Sequence, residues 1–271
     1  YTTASLSEDR TPGTNATRQD LDNLRNAGLI YGNIIYTKAP VMMSKLVEII
    51  GEEAYQEGIR EYLQTFAYGN ATWDDLIAIL DAKSPENLAE FSDVWVNQKG
   101  MPHISFSVEG KELKITQVDP LGRSLIWPQR FDMTFLGETE TSIEVNLTQA
   151  ESTHLIPDGT KVILPNTDGR GYGLFIPDGR SMEWLLSHWQ EIKDDTARQS
   201  LLVTIHENYQ DKRISPQDWL TALLNGLNKE KNTLIASSIC RYLHDPVHRA
   251  SSKQSVTSDK KPESCPIFRK R

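Results

Sequence analysis

Near the head of an apolar run, the stretch YGNIIYTKAP (residues 31–40) sets a phenol, Tyr36, two residues before an ammonium, Lys38. A phenol, with an ordinary pKa of about 10, stays protonated at neutral pH and donates a hydrogen bond without becoming a charge. Tyr36 is therefore suited to donate toward an oxyanion that develops during a reaction. The competing reading is a half-buried aromatic whose ring packs while its hydroxyl finds a local partner. Lys38 reads as a salt-bridge partner or a solvent-facing group on the first turn of the following helix.

Other chemistry-bearing residues give weaker patterns. In CRYLHDPVH, Cys240, His244 and His248 recur at four-residue steps and would share one face of a helix, as zinc ligands must. Pro246 argues against an unbroken helix there, and no carboxylate lies between the two histidines to act as a base. Gly169, Gly171 and Gly173 of DGRGYG imitate a phosphate-binding loop, but the next residues, LFIPDGR, read as a strand and a turn instead of a crossover helix. The acidic residues of WDDL and GEE are explained as helix-start charges.

These residues need elements to hold them. The first thirty residues are polar, with RTPGTNAT a loop and residues 17–30 a short helix. From Pro40 the period becomes helical: Met43, Leu46, Val47 and Ile50 define one helix, which Gly51 ends. Tyr55, Ile59, Tyr62, Leu63 and Phe66 share a face of a second. Thr72 and Asp75 open a third, and Ser84 with Pro85 a fourth, striped by Leu88, Phe91 and Trp95 and closed near Gly100. At Met101 the period drops to two. HISFSVEGKELKITQVD predicts two strands, followed by strands in WPQRFDMTFLG, TSIEVNLTQ, TKVILPN and GYGLFI, which together suggest a β-sandwich or barrel. Helices then return: one capped by Ser181, one burying Leu201, Leu202 and Ile205, one opened by Ser215-Pro216 with Asp218, and one in NTLIASSICRYLH. Successive helices with short joints suggest the start of a helical-repeat solenoid.

Composition bounds the function. With 271 residues, 38% hydrophobic, and a formal net charge of -8, the chain is an ordinary globular sequence unsuited to nucleic acid as its main partner. No apolar run reaches the roughly 18 residues that cross a bilayer. The start, YTTASLSEDR, has no signal-peptide pattern and no initiating methionine, so a soluble piece of a longer protein is expected, cytoplasmic or else periplasmic or secreted. Cys240 and Cys265 are too few for a disulfide framework. Asn15, Asn70 and Asn146 head N-x-[ST] triplets, which matter only in a secreted context.

The run from Tyr36 through GEEAYQEGIREYLQTFAYGNATWDDL to FSDVWVNQKGMP resembles the zinc aminopeptidases of the aminopeptidase N and leukotriene hydrolase type. The matching positions are Tyr36 and Lys38, Gly51 to Glu53, Asn70 to Thr72, Trp95, Gln98, Gly100 and Pro102. The resemblance is densest over 30–102, continues over 103–178 and is architectural beyond. It implies three units: the C-terminal helical part of a thermolysin-like catalytic domain (1–99), a β-sandwich (100–178) and an incomplete helical-repeat domain (179–271). It also implies zinc-dependent removal of amino-terminal residues from peptides, with Tyr36 donating its hydroxyl to the tetrahedral intermediate. In that family H-E-x-x-H and a later glutamate hold the metal, and G-x-M-E-N reads the free amine. Neither motif occurs in these 271 residues, and the family's glycine after the lysine is Ala39.

The expectation is therefore a chain with one catalytic residue, Tyr36, no metal ligands and no activity alone. Its partners would be a peptide substrate and missing N-terminal domains carrying the zinc. Arg123, Arg130 and Arg170 are available to bind a substrate carboxylate, and nothing selects among them. The alternative is a non-catalytic scaffold or protein-binding module that keeps the fold.

Overall fold

A computed structural model describes residues 2–19, 23, 25, 28 and 32–254. The first element is a helix the sequence reading did not anticipate, α1 (Thr2–Asp9). Its one large apolar residue, Leu6, is buried, and so are Ser5 and Asp9, so polar partners rather than an apolar stripe hold it in place. Residues 12–17 form the expected loop, while most of the helix expected over 17–30 lies outside the described residues.

A five-residue π-turn, Ile34–Lys38, runs directly into α2 (Ala39–Ile50), which has Pro40 at its start and Gly51, at φ 88°, at its end. Then come α3 (Glu52–Thr65), α4 (Trp73–Asp81) and α5 (Leu88–Trp95). Thr72 and Asp75 form the expected reciprocal cap of α4. The cap of α5 differs from expectation. Asn87, not Ser84, accepts the backbone N–H groups of Ala89 and Glu90, because the helix starts three residues later than Pro85 suggested. The shared face of α3 is also narrower than expected: Leu63 is 63% exposed while Tyr55, Ile59 and Tyr62 pack on the core. The innermost side chains of this helical block are Leu46, Leu80, Leu88 and Trp95, all at zero exposure.

Seven strands follow: β1 (His103–Glu109), β2 (Glu112–Val118), β3 (Gln129–Leu136), β4 (Glu140–Leu147), β5 (Glu151–Leu155), β6 (Val162–Leu164) and β7 (Leu174–Ile176). One sheet has the order β5-β2-β1-β7 and the other β4-β3-β6. All pairings are antiparallel except β1 with β7. The alternation read from the sequence holds where it was read. Ile104, Phe106, Leu113 and Ile115 of one sheet meet Phe131, Met133, Phe135 and Val145 of the other in a single apolar layer. Strand β5 was missed because no residue of ESTHL is buried; it lies on the sheet edge without a core face.

The chain returns to helices with α6 (Gly179–His188), a 3₁₀ turn (Trp189–Glu191), α7 (Asp195–Gln210), α8 (Pro216–Lys229) and α9 (Thr233–Gln254). Asp178, rather than Ser181, caps α6. The Ser181 hydroxyl instead donates to Asp178 and accepts the N–H of Ile163, joining the helix to β6. Leu201, Leu202 and Ile205 are fully buried, as expected, among Leu185, Trp189 and Trp219. Helix α9 runs on through Pro246, contrary to expectation, at the cost of one backbone hydrogen bond that proline cannot donate. Among the described residues no helix is long and apolar enough to cross a membrane.

Candidate active site around Tyr36

The π-turn decides which side chains face out. Ile34 and Lys38, four residues apart, are 1% and 0% exposed, whereas Tyr36 between them is 60% exposed. Residues two apart on a helical turn point to nearly opposite sides, so anchoring both ends inward pushes the middle residue out. The backbone N–H of Tyr36 bonds to Gly32 and that of Ala39 to Ile34, which closes the turn at both ends. The phenol is thus presented at the surface by a turn whose neighbours are locked.

Lys38 does the locking, as a buried salt-bridge partner. The solvent-facing alternative fails because the side chain follows Ile34 into the core. Its Nζ lies 2.8 Å from Asp9 Oδ2 and donates to the carbonyl of Gly100 at 2.8 Å. The same carboxylate oxygen accepts the Tyr172 hydroxyl at 2.7 Å, and Asp9 Oδ1 accepts Thr14 Oγ1 at 2.7 Å. The ammonium also lies 5.6 Å from the centroid of the Tyr172 ring. Removing a lysine from water is costly unless an opposite charge and hydrogen bonds replace the water, and here both do. Burial lowers the Lys38 pKa against the opposing pull of Asp9. Burial and the Asp9 charge together hold the Tyr172 phenol well above its ordinary range, so it remains a donor.

A second buried lysine stands about two helical turns on. Lys45 donates to the carbonyl of Arg170 at 2.8 Å and lies 5.3 Å from the Trp95 ring, with burial lowering its pKa to about 8. Trp95 packs edge-on against Tyr172 and donates to the carbonyl of Pro128, while Gln129 bonds both backbone groups of Tyr172. The glycine-rich loop 169–173 therefore serves as the segment that delivers Tyr172 to Asp9. It makes no phosphate cradle: Arg170 is engaged by Asp132, Glu144 and Asp168. Arg123 is likewise engaged, by Asp119 and the carbonyl of Lys99. Of the three arginines available for a carboxylate, these two already bond internal anions, whereas Arg130 lines a cavity with Glu48, Glu86 and Glu90.

Sequence reasoning missed Asp9 and Tyr172. The signal that could have pointed to them is the lysine itself: a cation at the buried position of a helical turn demands a carboxylate from elsewhere in the chain. Cys240 is half-buried and His244 exposed on α9, and the side chain of His248 lies outside the described residues. Among the described residues no group of three or more His, Cys, Asp or Glu side chains converges as a metal requires. The described residues therefore offer no set that fits the zinc implied by the resemblance.

Residues 2–95 match the Peptidase family M1 domain, a stretch that contains α1, the π-turn and α2 to α5. Aminopeptidase N of Streptomyces lividans is 23% identical over 256 residues, which is 86% of this chain and 30% of that protein. Aminopeptidase N of Lactobacillus delbrueckii subsp. lactis is 30% identical over 115 residues, covering 42% of this chain and 14% of the relative. Aminopeptidase N of Lactococcus lactis subsp. lactis is 22% identical over 241 residues, 86% of this chain and 28% of the relative. The chain thus spans less than a third of the length of these relatives. Residues 2–95 thus match peptidase family M1, and over most of its length the chain is similar to aminopeptidase N proteins.

Proposed function

We propose that these residues form part of a zinc-dependent aminopeptidase that hydrolyses amino-terminal residues from peptides. Tyr36 donates its hydroxyl to the oxyanion of the tetrahedral intermediate. The zinc ligands and the residues that read the free amine lie in sequence beyond this chain, so the chain by itself does not hydrolyse peptides. The observation that supports this reading is the exposure of Tyr36 at 60% on a turn whose flanking Ile34 and Lys38 are sealed. A ring kept for packing would be covered; a donor for a reacting group must be reachable.

Such a donor works best when its hydrogen bond strengthens as charge develops on the scissile carbonyl oxygen, which lowers the barrier without tightening substrate binding. The phenol needs no proton transfer for this and remains neutral throughout. In this reading residues 1–99 are the helical end of the catalytic domain, 100–178 a β-sandwich and 179–271 the beginning of a helical-repeat domain. The three apolar clusters support that division, although Trp127, Tyr172 and Leu174 of the second segment pack into the core of the first.

Hydrolysis of an aminoacyl p-nitroanilide, followed for the 271-residue chain and for the full-length protein in the presence of zinc, tests the assignment. The full-length protein is expected to turn over and the chain alone to be silent. Turnover by the chain alone would overturn the placement of the metal outside it. An inactive full-length protein would favour the scaffold instead.

A further inference from the structure

The Asp9–Lys38 pair is more elaborate than the burial of one lysine requires. Three further segments converge on it: Thr14 in the loop after α1, Gly100 beyond α5 and Tyr172 before β7. Each supplies one hydrogen bond to the pair. The lysine they hold is the final residue of the π-turn whose middle residue is Tyr36. The other inward residue of that turn, Ile34, has a hydrocarbon side chain with no polar group to bond, so the side-chain polar register of the turn is set at Lys38. A hydrogen-bonded ion pair is directional in a way that apolar packing is not.

We propose that Asp9 is a positioning residue for Tyr36: by clamping Lys38 at the end of the π-turn, its carboxylate fixes where the phenol stands at the surface. This rests on the reading of Tyr36 as a hydrogen-bond donor in peptide hydrolysis. Asp9 touches neither substrate nor metal; it acts through Lys38 and the backbone of residues 34–38. Without its charge the ammonium loses its counter-ion, the turn loses its anchor and the hydroxyl drifts from the reacting carbonyl.

The test is a double-mutant cycle in the full-length protein with Asp9→Asn and Tyr36→Phe, read together with hydrogen–deuterium exchange of the peptide covering residues 32–40. A misplacement of about an ångström costs on the order of 10²-fold in rate, so Asp9→Asn is expected to lower kcat by up to that amount with KM little changed. In the Tyr36→Phe background the same substitution is expected to have almost no further effect, because no hydroxyl remains to misplace. The amides of Tyr36 and Ala39 should exchange faster in Asp9→Asn than in the wild type. Should Asp9→Asn fail to fold, Tyr172→Phe removes one donor to Asp9 while leaving the ion pair, and a smaller effect in the same directions is expected.

An equal loss of kcat in both backgrounds would show a merely structural role and overturn the proposal. So would unchanged exchange of the turn in both Asp9→Asn and Tyr172→Phe. Tyr36→Phe with unaltered kcat would sink the function of the hydroxyl itself, and with it the positioning role, whereas faster exchange would then still report a clamped turn. The two failures are therefore told apart.

Discussion

Lys38 carries a full charge at zero exposure, and its cost of dehydration is recovered only through Asp9, Gly100 and the Tyr172 ring. Replacing it by methionine keeps the volume of the stem but strands the Asp9 carboxylate. Breaking one half of a buried pair costs about 3–5 kcal/mol, and Lys38→Met is expected to lose that much in urea unfolding. A joint Asp9→Leu and Lys38→Met replacement should recover only part of the loss: it removes both charges but leaves the Tyr172 and Thr14 hydroxyls and the Gly100 carbonyl without these partners. The sequence showed Tyr36 and Lys38 side by side but not which of them faced inward. Two residues apart on a turn, either assignment satisfies the local pattern. The deciding partner, Asp9, lies on a helix with one large apolar residue and hence no readable stripe. Long-range polar pairing of this kind leaves no period in a sequence.

At the scale of elements, most helices were legible because their caps and apolar spacing agreed. The exceptions are instructive. Ser84 and Pro85 look like a helix start, yet Asn87 makes the capping bonds of α5 and the Ser84 hydroxyl accepts only the N–H of Glu86. Asn87→Ala is accordingly expected to cost about 1 kcal/mol and Ser84→Ala much less, measured by thermal or chemical unfolding. A glycine inside α8 makes a sharper case. Alanine in a helix interior normally gains about 1 kcal/mol over glycine. At Gly226, however, a Cβ would lie 2.1 Å from Cζ2 of the fully buried Trp189. Gly226→Ala is therefore expected to destabilise by about 1–3 kcal/mol through overpacking.

The link between α1 and α7 has a pH dependence of its own. Arg10 approaches Glu207 at 3.2 Å, and the glutamate side chain is 1% exposed. Burial raises Glu207 from its ordinary 4.5 to about 7, against the lowering influence of Arg10. Between those values the folded protein holds a proton that the unfolded chain has released. Its contribution to stability is thus complete below 4.5 and is lost as pH rises through 7. Compared with Glu207→Gln, which mimics the protonated form, the wild type is expected to weaken by something on the order of 3 kcal/mol from pH 4.5 to 7.5. Parallel pH profiles of unfolding midpoint for the two proteins would contradict this assignment.

For the whole molecule, the helix–sheet–helix order was readable from the change of period at Met101 and its return after residue 178. Helices before, two small sheets between and helices after are what the structure contains. What could not be read is how the segments share their cores. Tyr172 sits in a glycine-rich loop that looks like a turn, yet it is completely buried against Trp95 and bonded to Asp9. The sheet segment thereby helps hold the residue that anchors Tyr36. One consequence of this sharing is that the candidate site depends on three distant parts of the chain, while only its exposed tip carries chemistry. That chemistry is most directly tested by kcat for peptide-bond hydrolysis by the full-length protein with Tyr36→Phe, a change that removes one oxygen and leaves the ring. A fall of about 10²–10³-fold in kcat with KM nearly unchanged is expected if the hydroxyl serves the transition state. A kcat that survives the loss of that oxygen would contradict the account.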